Sequence, residues 1–234
     1  MRFSRWRAAG NDYLLVERAE LGGPLTAERV RAEVGEADGI LEVVSTHDEE
    51  AEIVIWNQDG STAELSGNGT RIAARWLADR SGAGDVLIRV GPRDVRARML
   101  PDGQVEQELG RVEVVARERI AGLRVAVVSV GNPHAVVVGD PDDLPLIGPL
   151  LETHPRFPER TNVQVARVEA PGHVSARVWE RGVGETQSSG TSAVAVAAAT
   201  HGEGDVVVSF PGGDLRVSIE DGCARLTGPV ERLG

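Results

Sequence analysis

Two short segments of this chain, Ser66-Gly67-Asn68-Gly69-Thr70 and Ser189-Gly190-Thr191-Ser192-Ala193, each have the form of a Ser-Gly turn opening a helix of small residues. They lie 123 positions apart in a chain of 234. Upstream, Gly10-Asn11-Asp12 precedes an apolar run from Tyr13 to Val16, as Gly131-Asn132-Pro133-His134 precedes Ala135 to Val138, at a spacing of 121. A chain that repeats a Gly-Asn turn and then a Ser-Gly helix start is two copies of one supersecondary unit. This reading expects a site between the halves, with one serine on each side. A buried helix leaves its first amides pointing at whatever precedes it, and those amides with the helix dipole hold anions. A single Ser-Gly turn is more simply an ordinary N-cap, but its duplication favours a pair of carboxylate-holding helix ends.

Composition removes several classes of function. The formal charge of −11 disfavours nonspecific binding to nucleic acid or anionic membranes. No apolar run approaches the roughly 18 residues of a membrane span, and the Arg2/Arg5/Arg7 start leads into Gly10-Asn11-Asp12 instead of a signal-peptide core, so a cytoplasmic location is expected. Cys223 is the single cysteine, which rules out an internal disulfide and disfavours a cysteine metal cluster. All 25 basic residues are arginine. Without lysine there is no lysine Schiff base, hence no pyridoxal phosphate chemistry, and no P-loop.

Short β-branched runs bounded by Gly, Pro or Asp predict strands over 52–56, 86–90, 112–115, 124–130, 135–138, 162–168, 174–179 and 206–210. Helices are expected over 26–34, with a Thr26 cap and Glu28 in the first turn, and over 68–78 and 191–200 behind the two Ser-Gly turns. The Pro-rich stretch 140–158 reads as a loop with a helical turn around 146–152. The polar, Gly122-containing segment 117–123 reads as the lobe boundary. This gives an N-terminal lobe over 1–118 and a second over 119–214, with the final stretch 215–234 returning to the first. The expected fold class is α+β: two pseudo-symmetric lobes, each a curved, mostly antiparallel sheet around a central helix.

Around the Ser-Gly turns sit Asn57-Gln58-Asp59-Gly60-Ser61 and Glu180-Arg181-Gly182-Val183-Gly184-Glu185-Thr186, with Asn57 and Glu180 each nine residues before its serine. Arg181 can fork onto a second carboxylate, and the asparagines can hold either ammonium or carboxylate groups. Taken singly, such residues are more often turn or surface groups. His134 heads an apolar strand beside the expected site. His47, His154, His173 and His201 show no ligand spacing, so no metal is expected.

Gly10-Asn11-Asp12, Asn57-x-Asp59-Gly60-Ser61, Glu64-Leu65-Ser66-Gly67-Asn68-Gly69, Gly131-Asn132-Pro133-His134, Arg160-Thr161-Asn162 and Glu180 to Thr186 together resemble the diaminopimelate epimerase family, in family order over nearly the whole chain. The resemblance implies a cofactor- and metal-free enzyme closing over an amino acid with a second carboxylate. The implied substrate contacts are Asn11, Asn57, Gly67, Asn68, Asn132, Asn162, Glu180, Arg181, Gly190 and Thr191. A homodimer is a family-level expectation. An epimerase of this kind needs a base on each face of the α-carbon. In the family both are cysteines, at the positions of Ser66 and Ser189. A thiol titrates near pH 8.5 and a helix N-terminus pulls it towards neutrality, whereas an alcohol needs an adjacent base. His134 and Glu180 stand where the family has residues thought to tune the thiols, and are the expected catalytic helpers. Gly39 stands where many members have a glutamine ligand, and the chain is short for the family. The readings open at this point are interconversion of LL- and meso-diaminopimelate, a different amino-acid racemase or isomerase on the same fold, a noncatalytic amino-acid binder, and a targeted exchange of both thiols.

Overall fold

A computed structural model describes residues 3–234, so Met1 and Arg2, the first of the arginine trio, lie outside the described residues. By internal contacts the chain divides into unit 1, Met1–Gln107 with Gly228–Gly234, and unit 2, Glu108–Thr227. No helix among the described residues is long and apolar enough to cross a membrane.

Unit 1 runs β1 (Ser4–Ala8), β2 (Asn11–Glu17), α1 (Ala27–Glu33), β3 (Gly39–His47), β4 (Glu50–Asn57), β5 (Thr62–Ala63), α2 (Gly67–Ser81), β6 (Asp85–Val90), β7 (Arg93–Met99) and β8 (Val105–Arg111), the last crossing the boundary. Unit 2 runs β9 (Glu113–Ile120), β10 (Leu123–Ser129), β11 (Pro133–Val138), α3 (Leu144–Glu152), β12 (Asn162–Ala170), β13 (His173–Glu180), β14 (Gly184–Thr186), α4 (Gly190–Thr200), β15 (Gly204–Phe210), β16 (Gly213–Glu220) and β17 (Cys223–Gly228). The closing strand β18 (Glu231–Arg232) belongs to unit 1.

The pairings match strand for strand. In unit 1, β1 is antiparallel to β2, β2 parallel to β3, β3 antiparallel to β4, and β4 parallel to β6. In unit 2, β10, β11, β12, β13 and β15 repeat that sequence of directions. Both runs end in antiparallel ribbons, β6–β7–β8 and β15–β16–β17. β18 flanks β1 as β9 flanks β10, so the end of the chain supplies unit 1 with the edge strand that β9 gives unit 2. The fold is therefore α+β, two repeats of a mostly antiparallel sheet with a central helix.

Local sequence accounts for these elements. In β4, Ala51, Ile53 and Ile55 point into the core between more exposed neighbours, the period-two pattern of a half-buried strand. Thr26 caps α1 by accepting the Arg29 N–H. In α4 every residue from Gly190 to Ala199 is buried; its alanines favour helix, and the small side chains let strands of its own unit approach closely. In α2, Ile72, Ala73, Ala74, Leu77 and Ala78 join the strands of unit 1 in one apolar cluster.

The polar segment 117–123 is a hairpin and not a linker. It spans the end of β9 and the start of β10, with Ala121 and Gly122 at φ 51° and 82° in the turn between. β9 shows one face to solvent, so charge at Arg117, Glu118 and Arg119 is compatible with strand. The division falls at Gln107/Glu108, against the expected 118/119, and 215–226 forms most of the β16–β17 ribbon within unit 2; only Gly228–Gly234 joins unit 1. The 140–158 stretch carries α3 as expected.

Candidate functional site

In unit 1 the chain enters the site through the two-residue turn Ala9-Gly10, both at positive φ (46° and 83°), between the paired Ala8 and Asn11. This is the turn geometry that suits the twist of a tight hairpin and favours glycine. Asn11 and Asp12 follow, both buried. The Asp12 carboxylate accepts from Arg5 at 2.8 Å and from Arg7 at 2.6 and 3.0 Å, which holds it below the usual carboxylate range, the Arg7 hydrogen bond contributing most. The Asp12 N–H donates to the Asp38 carboxylate at 2.7 Å and the Asp38 N–H returns to the Asp12 carbonyl at 2.8 Å, fixing the start of β2 against β3.

Tyr13 comes next and sits directly opposite Gly39. A Cβ on Gly39 would lie 2.9 Å from the Tyr13 ring and 2.3 Å from the Trp56 carbonyl oxygen, so only glycine leaves room for the ring. The buried Tyr13 phenol lies 3.3 Å from Ser66 Oγ. Ser66 has extended backbone (φ −133°) and caps α2, its Oγ accepting the Gly69 N–H at 3.0 Å. The first turn of α2 is tied down from within. The Thr70 hydroxyl has the Ser66 carbonyl oxygen at 2.8 Å and Gln107 Oε1 at 2.9 Å as the two acceptors for its one proton, and Gln107 Nε2 donates to the Gly67 carbonyl at 2.9 Å.

One helical turn on, the Arg71 guanidinium is fully buried. It donates to the Gly67 carbonyl at 3.2 Å and to Asn68 Oδ1 at 2.5 Å, and its Nε has no partner. No carboxylate among the described residues pairs with it. Burial pulls it down to about 9, which leaves it cationic at neutral pH, while Tyr13 acts in the opposite direction through space. Asn57 closes the tight turn after β4, its amide donating to Ser61 Oγ at 2.9 Å.

Unit 2 repeats the frame with different chemistry. The Gly131 turn (φ 78°) places Asn132 and then His134 at the start of β11, where His134 pairs with Asn162 in the register that Tyr13 shares with Gly39. His134 is fully buried. Its Nε2 lies 2.9 Å from Asn132 Oδ1 and its Nδ1 3.0 Å from Gln164 Nε2. A carbonyl oxygen requires a donor and an amide nitrogen an acceptor, so Nε2 carries the proton and Nδ1 accepts. Burial above all, and then the charge of Arg181, push His134 down to about 3; the ring is neutral. Gln164 also donates to Ser192 Oγ at 2.9 Å.

Asn162 spends both ends of its amide, donating to the Pro133 carbonyl at 3.0 Å and accepting the Arg181 N–H at 3.0 Å. The buried Glu152 of α3 accepts the Trp179 indole N–H and the Gly182 N–H, each at 2.8 Å. Together these set the turn that carries Arg181, whose half-exposed guanidinium has no ion pair among the described residues. Glu180 accepts the Thr186 hydroxyl at 2.7 Å. Ser189 is buried at the N-cap of α4 (φ −147°), its carbonyl accepting the Ala193 N–H at 3.0 Å, but its hydroxyl makes no cap bond.

Of the residues expected from sequence, Asn11, Asn57, Ser66, Gly67 and Asn68 lie in unit 1, and Asn132, His134, Asn162, Glu180, Arg181, Ser189, Gly190 and Thr191 in unit 2. His134 and Glu180, expected as helpers of the serines, bond to Asn132 with Gln164 and to Thr186 respectively. Four residues escaped sequence reasoning: Tyr13, Arg71, Gln107 and Gln164. A usable signal existed for Arg71, a charge set among the apolar positions of a helix expected to be buried on all sides.

Solved structures show where this frame recurs. Over the whole chain the fold is similar to a phenazine biosynthesis protein of Bacillus anthracis (TM-score 0.73, 12% identity, 98% of that chain covered). It is likewise similar over 99% of its length to a hydroxyproline epimerase of Agrobacterium vitis (TM-score 0.71, 15% identity, 89% of that chain). The architecture is thus that of a two-repeat α+β class that includes epimerases. Sequence narrows the class further. The diaminopimelate epimerase family model matches residues 4–115 and 126–233. Diaminopimelate epimerase of Synechocystis is 34% identical over 271 aligned positions, with 100% of this chain and 97% of the relative covered. The enzyme of the same name from Pseudomonas aeruginosa PAO1 is 34% identical over 249, with 93% and 90% covered. The chain belongs to the diaminopimelate epimerase family.

Proposed function

We propose that the chain interconverts LL- and meso-diaminopimelate without a cofactor, by taking the α-proton on one side and returning it on the other. Ser66 and Ser189 stand at the two base positions, one at the central-helix N-cap of each repeat. The observation that carries the reading is the retained polar set around those caps in a chain of this family. Arg181 in particular presents a guanidinium with no ion pair among the described residues, on a turn that Asn162 and Glu152 hold in place. That group suits the distal carboxylate of a diamino diacid. The amides opening α2 and α4 suit the carboxylate next to the reacting carbon.

The test is exchange of the α-hydrogen of LL- and meso-diaminopimelate in deuterated water, with the unaltered chain and with Ser66→Cys/Ser189→Cys. Exchange with inversion by the unaltered chain is the expected result. Binding without exchange in either form refutes the epimerase reading and leaves an amino-acid binder. Exchange on a different amino acid and not on diaminopimelate transfers the reading to another racemase.

A further inference from the structure

The duplication sets Tyr13 and His134 at the same place in the two repeats, each three residues after the turn glycine and paired across a parallel strand. His134 is spent within its own unit on Asn132 and Gln164. Tyr13 instead reaches the N-cap serine, its phenol 3.3 Å from Ser66 Oγ. That is longer than the commonest O–H···O separation, and a proton shared along it would shorten it. Arg71, in the first turns of the helix that Ser66 caps and within electrostatic reach of Tyr13, keeps a fully buried positive charge whose hydrogen-bond acceptors among the described residues are neutral, the Gly67 carbonyl and Asn68 Oδ1. A buried cation without a carboxylate is costly, and it is a standing preference for an anion nearby. The buried carboxylates on β2 and β3 do not fill that role: Asp12 is taken by Arg5 and Arg7, and Glu42 by Arg18 and Trp56.

Resting on the epimerase reading above, we propose that Tyr13 is the proton partner of Ser66, with Arg71 as the countercharge of its phenolate. As the Ser66 oxygen takes the α-proton, the Ser66 hydroxyl proton passes to the Tyr13 oxygen. Ser66 ends as a hydroxyl, Tyr13 as a neutral phenol, and Arg71 remains cationic; proton return runs the same steps backwards. Tyr13 acts through Ser66 and not on the substrate. An alcohol thereby gains the adjacent base that it lacks alone. Gly39 belongs to the arrangement because any larger residue there would displace the Tyr13 ring.

The chain has a single tyrosine, so ionisation of that side chain is readable without assignment. Isotope-labelled tyrosine gives one NMR resonance whose shift reports phenol or phenolate across a pH titration. Tyr13 is expected to ionise below the roughly pH 10 of free tyrosine, and Arg71→Gln to move that titration upward. In α-hydrogen exchange, Tyr13→Phe is expected to lower kcat by on the order of 10²-fold with KM little changed, the usual scale of a lost proton-transfer partner. In a Ser66→Cys background, where the thiol ionises by itself, the same Tyr13→Phe change is expected to cost less than about tenfold, a non-additive cycle. An equal loss in both backgrounds, or a tyrosine that titrates at or above the free value, overturns the pair. If the unaltered chain exchanges no α-hydrogen at all, the epimerase reading fails. The tyrosine titration and its response to Arg71→Gln then still decide whether the phenol and guanidinium are coupled.

Discussion

Arg71→Met tests what the unit 1 site costs the fold. Burial pulls the guanidinium down to about 9, a penalty on its charged form of roughly 5 kcal/mol at about 1.4 kcal/mol per pH unit. Methionine fills much of the same volume without that penalty. Against the gain stand two hydrogen bonds. The Gly67 carbonyl keeps its bond from Gln107 Nε2, so little is lost there. Asn68 Oδ1 loses a donor at 2.5 Å, and leaving such a buried acceptor poorly satisfied costs about 1–3 kcal/mol. The balance favours Met by roughly 2 kcal/mol, in line with buried charges that apolar residues replace at no loss. For a chain of this size that is a rise of about 4–8 °C in Tm. Calorimetry at pH 7 on the unaltered chain and Arg71→Met measures it, with α-hydrogen exchange run on the same samples. A more stable and less active variant is the expected outcome. A lower Tm would refute the reasoning, because the guanidinium would then be a net structural asset.

Other consequences follow from the same geometry. Ser66→Ala should lower stability by about 1 kcal/mol because a cap bond to the Gly69 N–H is lost; Ser189→Ala, where the hydroxyl caps nothing, should cost measurably less in the same urea titration. His134 is held far below the value it has in an unfolded chain, so the unfolded chain binds the extra proton first. Its contribution is intact above about pH 6.5 and is lost as pH falls towards about 3; urea midpoints between pH 4 and 7 should fall less steeply for His134→Gln. Gly148→Ala places a Cβ 2.8 Å from the Trp179 ring and should cost about 1–3 kcal/mol, with a change in tryptophan emission. Arg181→Gln should leave stability within about 0.5 kcal/mol, since the guanidinium holds no ion pair among the described residues, while raising KM for a substrate with a distal carboxylate.

The duplication was legible because its signals are local. An N-cap serine, the glycines behind it and a tight Gly-Asn turn are demands of backbone geometry made within a few residues, and they recur with both copies. The hairpin at 117–123 was hidden for a physical reason. β9 exposes one face, so its charged residues look like a linker until β10 is placed beside it. Tyr13 heads an apolar run and reads as core. Only the cross-strand register opposite Gly39 shows that its ring is aimed at Ser66. Arg71 stands out as a charge in a helix expected to be buried, but the strands that close around α2 are distant in sequence, so what its guanidinium meets there is not legible locally.

The two repeats keep one backbone and diverge in charge, and the divergence is confined to corresponding positions. Opposite the Gly-Asn turn stands a phenol in unit 1 and an imidazole in unit 2; across the parallel pair stands Gly39 in one and Asn162 in the other. Asn162 ties down the Arg181 turn, a task that a glycine could not perform, while Gly39 leaves space for a ring that an asparagine would exclude. On the central helix, unit 1 has a buried cation at Arg71, whereas unit 2 has an apolar Val194 at the equivalent position, and its buried His134 is neutral. Packing alone does not ask for such a difference, because an apolar residue at position 71 would satisfy the core as Val194 does. A cation kept at a cost in one repeat, and a ring kept neutral at the corresponding strand position of the other, is the asymmetry expected if the proposed proton transfers at the two serines run by different means.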